Sequence, residues 1–409
     1  MERLCSKLLK EQLSLFPCIS IIGARQSGKT TLLKSLQGDW KIFDLEKLSD
    51  NLQISEDPDL FFRTYPDKIA IDEAQLLPRV FNSLRVAIDD DRNTKGRFIF
   101  TGSSSPSLLK NISESLAGRV GIIEMSPLTF AETQSRLDSS FFDAFSNSQI
   151  SIDKLFECSN TPCSNINDIF SFWYKGGFPE PWLSENREFH RAWMDNYFQT
   201  YIERDIGRLF PGINGEKFRL FIRLLAGVSG SVINYSDVAR SLGVSAPTAH
   251  DYFEIAHGSY LWRTIPQFDR KSIKRLVRHP KGYLRDTGLL HYLLKIPDID
   301  ILNSHPVKGA SWESMVIEEI LRGLAGRGVS ADASYYRTQN GAEVDLVLEG
   351  MFGLVPIEIK YSQTVSSRDL KSLADFMDEF KAKVGIVINN DIVVRKYTDK
   401  IIGIPFGMI

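Results

Sequence analysis

The 409-residue chain has few cysteines, which removes one large class of functional site. Cys158 and Cys163 form its one close pair, and neither a second pair nor a nearby histidine accompanies them, which argues against a zinc site. We interpret these two thiols, together with Cys5 and Cys18, as reduced structural cysteines of a cytoplasmic protein.

The sequence also lacks long apolar runs and has almost no net charge. No stretch approaches the roughly 18 consecutive apolar residues that would predict a membrane span, and the N-terminus lacks the apolar segment of a signal peptide. The net charge of -2 creates no overall field that attracts nucleic acid, so such a role would need a local basic patch. The chain contains no internal repeat and no low-complexity tract.

Apolar runs and helical stretches alternate near the N-terminus, which predicts an α/β fold with a doubly wound parallel sheet. The runs lie at 18–22, 41–45, 68–71 and 97–101. The length predicts two or three domains of ordinary size. We place the segments at 1–125 (α/β domain), 126–225 (helical extension packed beside the sheet), 226–282 (winged helix-turn-helix) and 283–409 (C-terminal α/β domain).

The first apolar run leads directly into a phosphate-binding motif. The motif is a P-loop, with the spacing Gly-x-x-x-x-Gly-Lys-Thr. Its glycines let backbone N–H groups point at phosphate oxygens, while Lys29 reaches the β- and γ-phosphates and Thr30 binds Mg²⁺. The predicted ATP-binding residues are Gly23, Ala24, Arg25, Gln26, Ser27, Gly28, Lys29, Thr30 and Thr31.

Two acidic residues end the third apolar run. We predict that Asp72 binds Mg²⁺ and that Glu73 polarises the attacking water as a general base. Taken alone the pair would be an ordinary acidic strand end, but behind a P-loop the catalytic reading is favoured.

The fourth run ends in small polar residues. We expect Ser103, or alternatively Thr101, to reach the γ-phosphate or the water. Arg119 and Arg204 are candidates for an arginine that stabilises transition-state charge, supplied in cis or by a neighbouring subunit, and Arg119 is preferred. Either arginine could equally be a surface residue.

The chain resembles the bacterial and archaeal ATPases that join an AAA-type P-loop domain to a C-terminal restriction-endonuclease-like domain of unassigned function. The resemblance lies in the P-loop and acidic motifs and in the segments 100–103, 115–120, 176–180, 201–205 and 286–289. It implies ATP binding with Mg²⁺ and implies little about the biological role.

Residues 231–265 have the element order of a winged helix. We expect Ser236 to cap a first helix that Gly243 ends, and Ser245 to cap a second helix. A cluster of basic residues follows, which could grip a DNA backbone or could be a solvated hairpin of a domain that packs between its neighbours. The cluster is Arg270, Lys271, Lys274, Arg275, Arg278, His279 and Lys281.

Carboxylates recur in the last segment, on predicted strands at 343–348 and 354–359. Alternation places Glu358 and Lys360 on one face, and Asp345 could join them from the neighbouring strand. The set resembles the core of restriction-endonuclease-like nucleases, which implies a second Mg²⁺ site at Asp345 and Glu358, with Glu313 as an additional ligand and Lys360 orienting a water. The alternative is an inactive fold of the same kind or a surface ion pair.

Three functions follow from these features. The first is an ATP-hydrolysing molecular switch or motor with Mg²⁺ and ATP at Lys29, Thr30, Asp72 and Glu73. The second is an ATP-regulated enzyme that binds or cleaves DNA. The third is a non-catalytic, ATP-gated adaptor that binds a protein partner through the aromatic-rich segment 168–201, and self-association is a further expectation.

Overall fold

The first sheet carries the P-loop. The computed structural model describes residues 1–103, 115–146, 148–210, 212–269 and 279–409. Five parallel strands form this sheet, in the order β2-β3-β4-β1-β5. They are β1 (Cys18–Gly23), β2 (Lys41–Asp44), β3 (Ile69–Asp72), β4 (Phe98–Ser103) and β5 (Val120–Glu124). The four predicted runs become β1 to β4, which confirms the α/β fold with a parallel sheet.

Helices cover both faces of this sheet, because alternate residues of each strand point to opposite sides. Ile19 and Ile21 of β1 pack with Leu33 from the helix after the P-loop, whereas Ile22 packs on the other face with Phe81. The helices of this part are Cys5–Leu15, Lys29–Lys34, Leu48–Ser55, Pro58–Thr64 and Val80–Asp90, and Ala74–Leu76 forms a 3₁₀ turn.

The parallel arrangement brings the carboxyl ends of the strands to one edge, where open α/β sheets bind ligands. The register places Gly23 beside Ser103, Ile22 beside Glu124, and Asp44 beside Asp72. The P-loop, the acidic end of β3 and the end of β4 therefore meet.

A small antiparallel sheet lies in the middle of the chain, in the order β6-β8-β7. Its strands are β6 (Ser231–Val232), β7 (Trp262–Ile265) and β8 (Lys281–Leu284). Helices Tyr235–Leu242 and Ala246–Gly258 stand between β6 and β7. The order of these helices and strands is the one expected of a winged helix. The assignment of this region as a winged helix stays a prediction.

The helix caps of this region agree with the sequence in two places and differ in one. Gly243 ends the first helix with φ of 60°, and the Ser245 side chain accepts from the backbone of Thr248. The first helix, however, is capped by Asn234, whose side chain accepts from Ser236 N. Because the helix starts at Tyr235, Ser236 already lies inside it and the predicted cap was wrong.

The last sheet has six strands in the order β13-β14-β12-β11-β10-β9. The strands are β9 (Ala331–Arg337), β10 (Glu343–Gly350), β11 (Gly353–Ile359), β12 (Gly385–Asn389), β13 (Arg395–Lys396) and β14 (Ile401–Pro405). Neighbours β11, β12 and β14 are parallel, and the other pairs are antiparallel. The helices are Thr287–Leu293, Ile299–Ser304, Lys308–Gly326 and Lys371–Phe380, with the 3₁₀ turn Phe406–Met408.

The segment predicted as an extension divides between two hydrophobic cores. Phe130, Phe142 and Trp173 pack with the C-terminal sheet, whereas Tyr197 and Phe221 pack with the middle sheet. The four predicted domain boundaries stay predictions. The helices of this segment are Phe130–Thr133, Ser140–Asp143, Ile152–Phe156, Ile166–Lys175, Pro179–Leu183, Arg187–Tyr197, Ile206–Leu209 and Gly215–Val228, with 3₁₀ turns Ala144–Ser146 and Glu157–Asn160 and a π-helical stretch Phe198–Asp205.

No helix in the ranges given above is long and apolar enough to cross a membrane.

Candidate functional site

The P-loop takes a conformation that its glycines permit. Gly23 has φ of 154°, and a Cβ atom there would lie 2.0 Å from the backbone oxygen of Met125, just after β5. Gly28 has φ of 98°, in the left-handed region that favours glycine. The loop can therefore close tightly against β5 before the next helix begins at Lys29.

Lys29 is buried within the loop, with 5% of its surface exposed. Its Nζ donates to the backbone oxygens of Gly23 at 3.1 Å and Ala24 at 2.8 Å. Burial lowers the pKa of Lys29 to about 8, although the charges of Glu73 and Asp72 oppose that shift. The loop thus holds an ammonium whose solvation is poor, and an anion beside it would compensate.

Asp72 is held by two hydroxyl groups from different elements. Thr30 Oγ1 donates to Asp72 Oδ2 at 2.6 Å, and Thr101 Oγ1 on β4 donates to Asp72 Oδ1. The buried carboxylate is thereby fixed at the carboxyl edge, next to the P-loop. The structure brings together the two residues predicted to bind Mg²⁺.

The two candidates for reaching the γ-phosphate, Thr101 and Ser103, have different outcomes in the structure. The hydroxyl of Thr101 donates to Asp72. In the described geometry Thr101, the alternative candidate for reaching the γ-phosphate, therefore contacts this carboxylate. The backbone of Ser103 ends β4 beside Gly23, and its side chain lies outside the described part, so its predicted role stays a prediction.

Glu73 follows Asp72 with a left-handed backbone, at φ of 54°. This turn directs the chain away from the strand, and Gln75 Nε2 donates to Glu73 Oε2. Burial, followed by the charge of Glu73, raises the pKa of Glu46, which follows β2. Glu46 after β2 and Glu73 after β3 therefore lie close enough for their charges to interact.

Arg3 braces the P-loop from the N-terminal segment, although no sequence motif marks this residue. Its Nη1 donates to Ser27 O at 2.6 Å, and its Nη2 donates to Ser126 O at 2.7 Å. The Nε atom forms an ion pair with Glu132 at 2.9 Å, and both partners are buried. No motif spacing could link residue 3 to residue 27, since the contact depends on how the first helix packs.

Arg119 does not lie at the P-loop of its own chain. It precedes Val120, which pairs with Cys18 at the start of β1, so it sits at the opposite edge of the sheet. Its guanidinium contacts Asp89 through bonds of 2.7 and 2.8 Å. The predicted role in cis is wrong, because parallel strands put this position at their amino ends. A role toward a neighbouring subunit stays a prediction, and the side chain of Arg204 lies outside the described part.

An ion network centred on the buried Glu318 joins the first sheet to the rest of the chain. Arg285, just after β8, donates to Glu124 at the end of β5 at 2.6 Å and to Glu318 at 3.2 Å. Arg322 and Arg263 also contact Glu318. These cations hold the pKa of Glu318 well below its usual range although burial opposes them. We call these five residues the Glu318 network.

Glu319 makes a second connection from the same helix, Lys308–Gly326. Its two oxygens accept from the backbone N–H groups of Phe130 at 2.8 Å and Ala131 at 3.2 Å. These residues begin the short helix that Thr129 caps, and Glu132, which completes the capping box, in turn holds Arg3. Burial raises the pKa of Glu319 to about 7.

The C-terminal carboxylates predicted as a second metal site lie close together. Asp345 accepts from Ile359 N at 2.8 Å, and Glu358 accepts from Lys360 Nζ at 2.6 Å. Burial raises the pKa of Asp345 well above its usual range, and the charges of Glu313 and Glu358 act in the same direction. Yet within the described ranges no three His, Cys, Asp or Glu side chains are arranged to hold a metal ion.

An ammonium from the middle sheet lies beside these carboxylates. Lys281 on β8 lies 3.0 Å from Glu313 and also forms an ion pair with Glu343, so a cation of the chain itself neutralises these carboxylates. Tyr283 donates to the same oxygen of Glu313 at 2.6 Å. Glu313, the predicted additional ligand, is thus paired with Lys281, whereas the second Mg²⁺ site at Asp345 and Glu358 and DNA cleavage both stay predictions.

Only the end of the basic cluster, His279 and Lys281, lies in the described part of the chain. Arg270, Lys271, Lys274, Arg275 and Arg278 lie outside the described residues. Lys281 is 5% exposed and paired, so its predicted contact with DNA was wrong. On the second helix of this region the exposed positions include Asp251 and Glu254, which would repel a phosphate backbone.

The aromatic-rich segment is mostly core. Trp173 is fully buried, and Trp193, Tyr197 and Tyr201 are buried in the second core. The prediction that these residues bind a protein partner was therefore wrong, because their rings are covered by the chain's own helices.

Three sequence families match different parts of the chain. An AAA domain matches residues 16–134, a Domain of unknown function (DUF8612) matches 166–300, and a Domain of unknown function (DUF4143) matches 308–407. An uncharacterized protein of Mycobacterium tuberculosis is 34% identical over 367 residues, which cover 89% of this chain and 75% of that protein. An uncharacterized protein of Methanocaldococcus jannaschii is 24% identical over 403 residues, covering 92% and 83%.

Solved structures show more distant likeness. A Walker-type ATPase of Pyrococcus abyssi has a TM-score of 0.41 at 15% identity, covering 71% of this chain and 94% of that one. A DNA replication initiation factor has a TM-score of 0.24 at 15% identity, covering 62% and 86%. Scores this low support no argument about function.

The identity to the mycobacterial protein extends over most of both chains, and the AAA match includes the P-loop and the acidic end of β3. This chain thus belongs to the family of AAA-domain, P-loop ATPase-like proteins that includes the uncharacterized protein of Mycobacterium tuberculosis.

Proposed function

We propose that this chain hydrolyses ATP to ADP and phosphate with Mg²⁺ and uses the cycle as a molecular switch. The observation that carries the proposal is the meeting of Lys29, Thr30 and Asp72 at the end of the glycine-containing loop. A buried ammonium, a hydroxyl and a carboxylate at the N-terminus of a helix form a set suited to a phosphate chain and its counterion.

The residues also fit the ligand and the metal chemically. Ser27 Oγ is buried in the loop with no hydrogen-bond partner in the described chain, so a phosphate oxygen could satisfy it. Thr30 and Asp72 offer the hard oxygen ligands that Mg²⁺ prefers. When bound there, Mg²⁺ would neutralise charge on the β- and γ-phosphates.

The reaction assigns a separate task to each side chain. The water oxygen forms a bond to the γ-phosphorus while the bond to the bridging oxygen breaks, and that electron pair leaves on ADP. Glu73 accepts the water proton, and the contact from Gln75 orients its carboxylate. Lys29 exchanges two backbone carbonyls for phosphate oxygens, which bind an ammonium more strongly.

The switch part of the proposal is supported by the adjacent residues Glu318 and Glu319. Glu318 is linked to the end of β5 through Arg285. Glu319 is linked through Phe130 and Glu132 to Arg3, which braces the P-loop. Both connections end on the helix Lys308–Gly326, which packs into the C-terminal core. A change in the loop would therefore reach that helix through two polar routes.

ATP binding and turnover in three variants test the proposal. Lys29→Ala should lose both ATP binding and hydrolysis. Glu73→Gln should bind ATP and hydrolyse it on the order of 10² to 10³ times more slowly, because only proton transfer is removed. Asp89→Asn, at the opposite edge of the sheet, should hydrolyse ATP like the wild type. Turnover by Lys29→Ala at the wild-type rate would refute the proposal.

A further inference from the structure

One P-loop side chain reaches a segment far along the chain. The guanidinium carbon of Arg25 lies 5.7 Å from the ring centre of Tyr201, within the range of a cation–π contact. Tyr201 belongs to the π-helical stretch Phe198–Asp205. Such stretches are rare and are concentrated at functional sites.

Tyr201 is held rigidly from behind. Its ring lies 5.3 Å from that of Tyr197, which stacks on Trp193 at 5.1 Å with an interplanar angle of 11°. Phe178 contacts both Trp193 and Tyr197, and Trp193 Nε1 donates to Glu180 at 3.0 Å. Arg25 thus packs on Tyr201, the last ring of a buried row of aromatic side chains, and not on a mobile surface group.

The charge of Arg25 acts on the residues around the P-loop. After burial, the main effects on Lys29 are the charges of Glu73 and Asp72, and Arg25 adds to the lowering of the Lys29 pKa. Arg25 also lowers the pKa of Glu46, which burial and Glu73 raise. Its guanidinium therefore shares a region with the ammonium that binds β- and γ-phosphates and with the proposed general base.

We propose that Arg25 binds the γ-phosphate of ATP in cis and that Tyr201 is the positioning residue that orients its guanidinium. This inference rests on the proposed ATPase function. Arg25 fills the role that Arg119, at the far edge of the sheet, cannot fill within its own chain. A planar guanidinium can hold two γ-phosphate oxygens at once, and stacking on a ring fixes the plane in which it does so.

Arg25→Met is the primary test, with ATP and ADP affinities and steady-state turnover measured on the full chain with Mg²⁺. We expect the turnover number to fall on the order of 10³ to 10⁵-fold, as for other arginines that contact a transferring phosphoryl group. ADP affinity should change less than about threefold, because ADP lacks the γ-phosphate. Arg25→Lys should restore little of the rate, since an ammonium cannot form the bidentate contact.

Tyr201 is tested separately, because its burial means that a large change could unfold the region. Tyr201→Phe keeps the ring and should keep the turnover number, whereas Tyr201→Leu should lower it about tenfold with little change in KM for ATP. Rescue by phenylalanine separates positioning by the ring from a role of the hydroxyl.

The outcomes separate this inference from the proposed function. If the wild type hydrolyses ATP and Lys29→Ala does not, but Arg25→Met retains turnover within threefold of the wild type, only this inference fails. Equal weakening of ATP and ADP binding by Arg25→Met would also overturn it. If the wild type binds ATP without hydrolysing it, the proposed function fails, and the inference then requires Arg25→Met to reduce the preference for ATP over ADP.

Discussion

Arg285 and Glu124 are joined by a contact of 2.6 Å between guanidinium and carboxylate. Glu124 ends β5 at the carboxyl edge of the ATPase sheet, and Arg285 follows β8 in the middle sheet. The same guanidinium contacts Glu318, so one buried side chain touches both the nucleotide-binding part and the C-terminal helix.

Replacement of Arg285 should therefore destabilise the fold and weaken communication between its parts. Arg285→Met retains much of the apolar stem but leaves Glu124 without this partner and Glu318 with two cations instead of three. We expect the free energy of unfolding to fall by about 2–4 kcal/mol, measured by urea denaturation.

A matched change at the surface is the control. Arg395→Met removes an ion pair with Asp391 in which the arginine side chain is 57% exposed. It should leave the denaturation midpoint unchanged, because exposed pairs contribute little. Equal midpoints for Arg285→Met and the wild type would contradict the structural role of the Glu318 network.

ATP affinity should depend on pH through Lys29. In the nucleotide-free chain its pKa is lowered to about 8, chiefly by burial, so the ammonium is lost at lower pH than in ordinary lysines. ATP binds the protonated form, so the Kd should be flat below about pH 7 and rise by up to tenfold per pH unit above about pH 8.

Isothermal titration with ATP across this pH range makes the measurement. The control is Lys29→Arg, whose guanidinium stays charged, so its Kd should be weaker but flat up to about pH 9. A wild-type Kd that does not rise above about pH 8 would contradict the low pKa of Lys29.

Thr101 should tune the metal site through Asp72. Thr101→Val preserves the side-chain shape and removes the hydroxyl that donates to Asp72, whereas Thr101→Ser keeps it. Loss of such a supporting contact typically costs about 10- to 100-fold in metal affinity or activity. Thr101→Val should therefore need more Mg²⁺ for half-maximal turnover, and Thr101→Ser should not. The same Mg²⁺ requirement in both variants would rule out this role.

The arrangement of the candidate site around Lys29, Thr30 and Asp72 was largely predictable because its signals are local. The P-loop spacing fixes Lys29 and Thr30 within one turn of backbone, and a run of apolar residues before Asp72 identifies a strand end. The parallel sheet then brings the two together without further information. Strand β5 escaped prediction because its burial alternates and Ile122 is exposed.

The remaining contacts depend on packing between distant elements. The contact between Arg3 and Ser27 requires the first helix to cover the loop, and Arg119 looked near the site only because β5 was missing from the prediction. Lys281 looked like a surface cation in a basic run, but pairing of β8 buries it against Glu313. Spacing along the sequence does not predict contacts between elements that are far apart in the chain.

His291 should make stability depend on pH at the junction of two cores. It is buried, and its Nδ1 lies 3.0 Å from Tyr174 O while its Nε2 lies 2.7 Å from Ser311 Oγ. Because a carbonyl only accepts, Nδ1 carries the proton and Nε2 accepts from Ser311, whose oxygen also accepts from Trp173. Burial lowers the pKa of His291 to about 4.

A lowered histidine pKa means that the unfolded chain binds more protons than the folded chain between about pH 4 and pH 6.5. Acidification through this window should therefore cost about 2–3 kcal/mol of stability through His291. Glu319 acts in the opposite direction, since a raised carboxyl pKa favours the folded state as pH falls.

Comparison with His291→Gln isolates the histidine contribution from that of Glu319, which both proteins share. The variant should be less stable at about pH 7.5, since a buried polar network is disturbed, but the difference between the two proteins should shrink by about 2 kcal/mol at about pH 5. Urea denaturation at several pH values measures the two curves. Parallel curves across this range would show that His291 titrates normally in the folded chain.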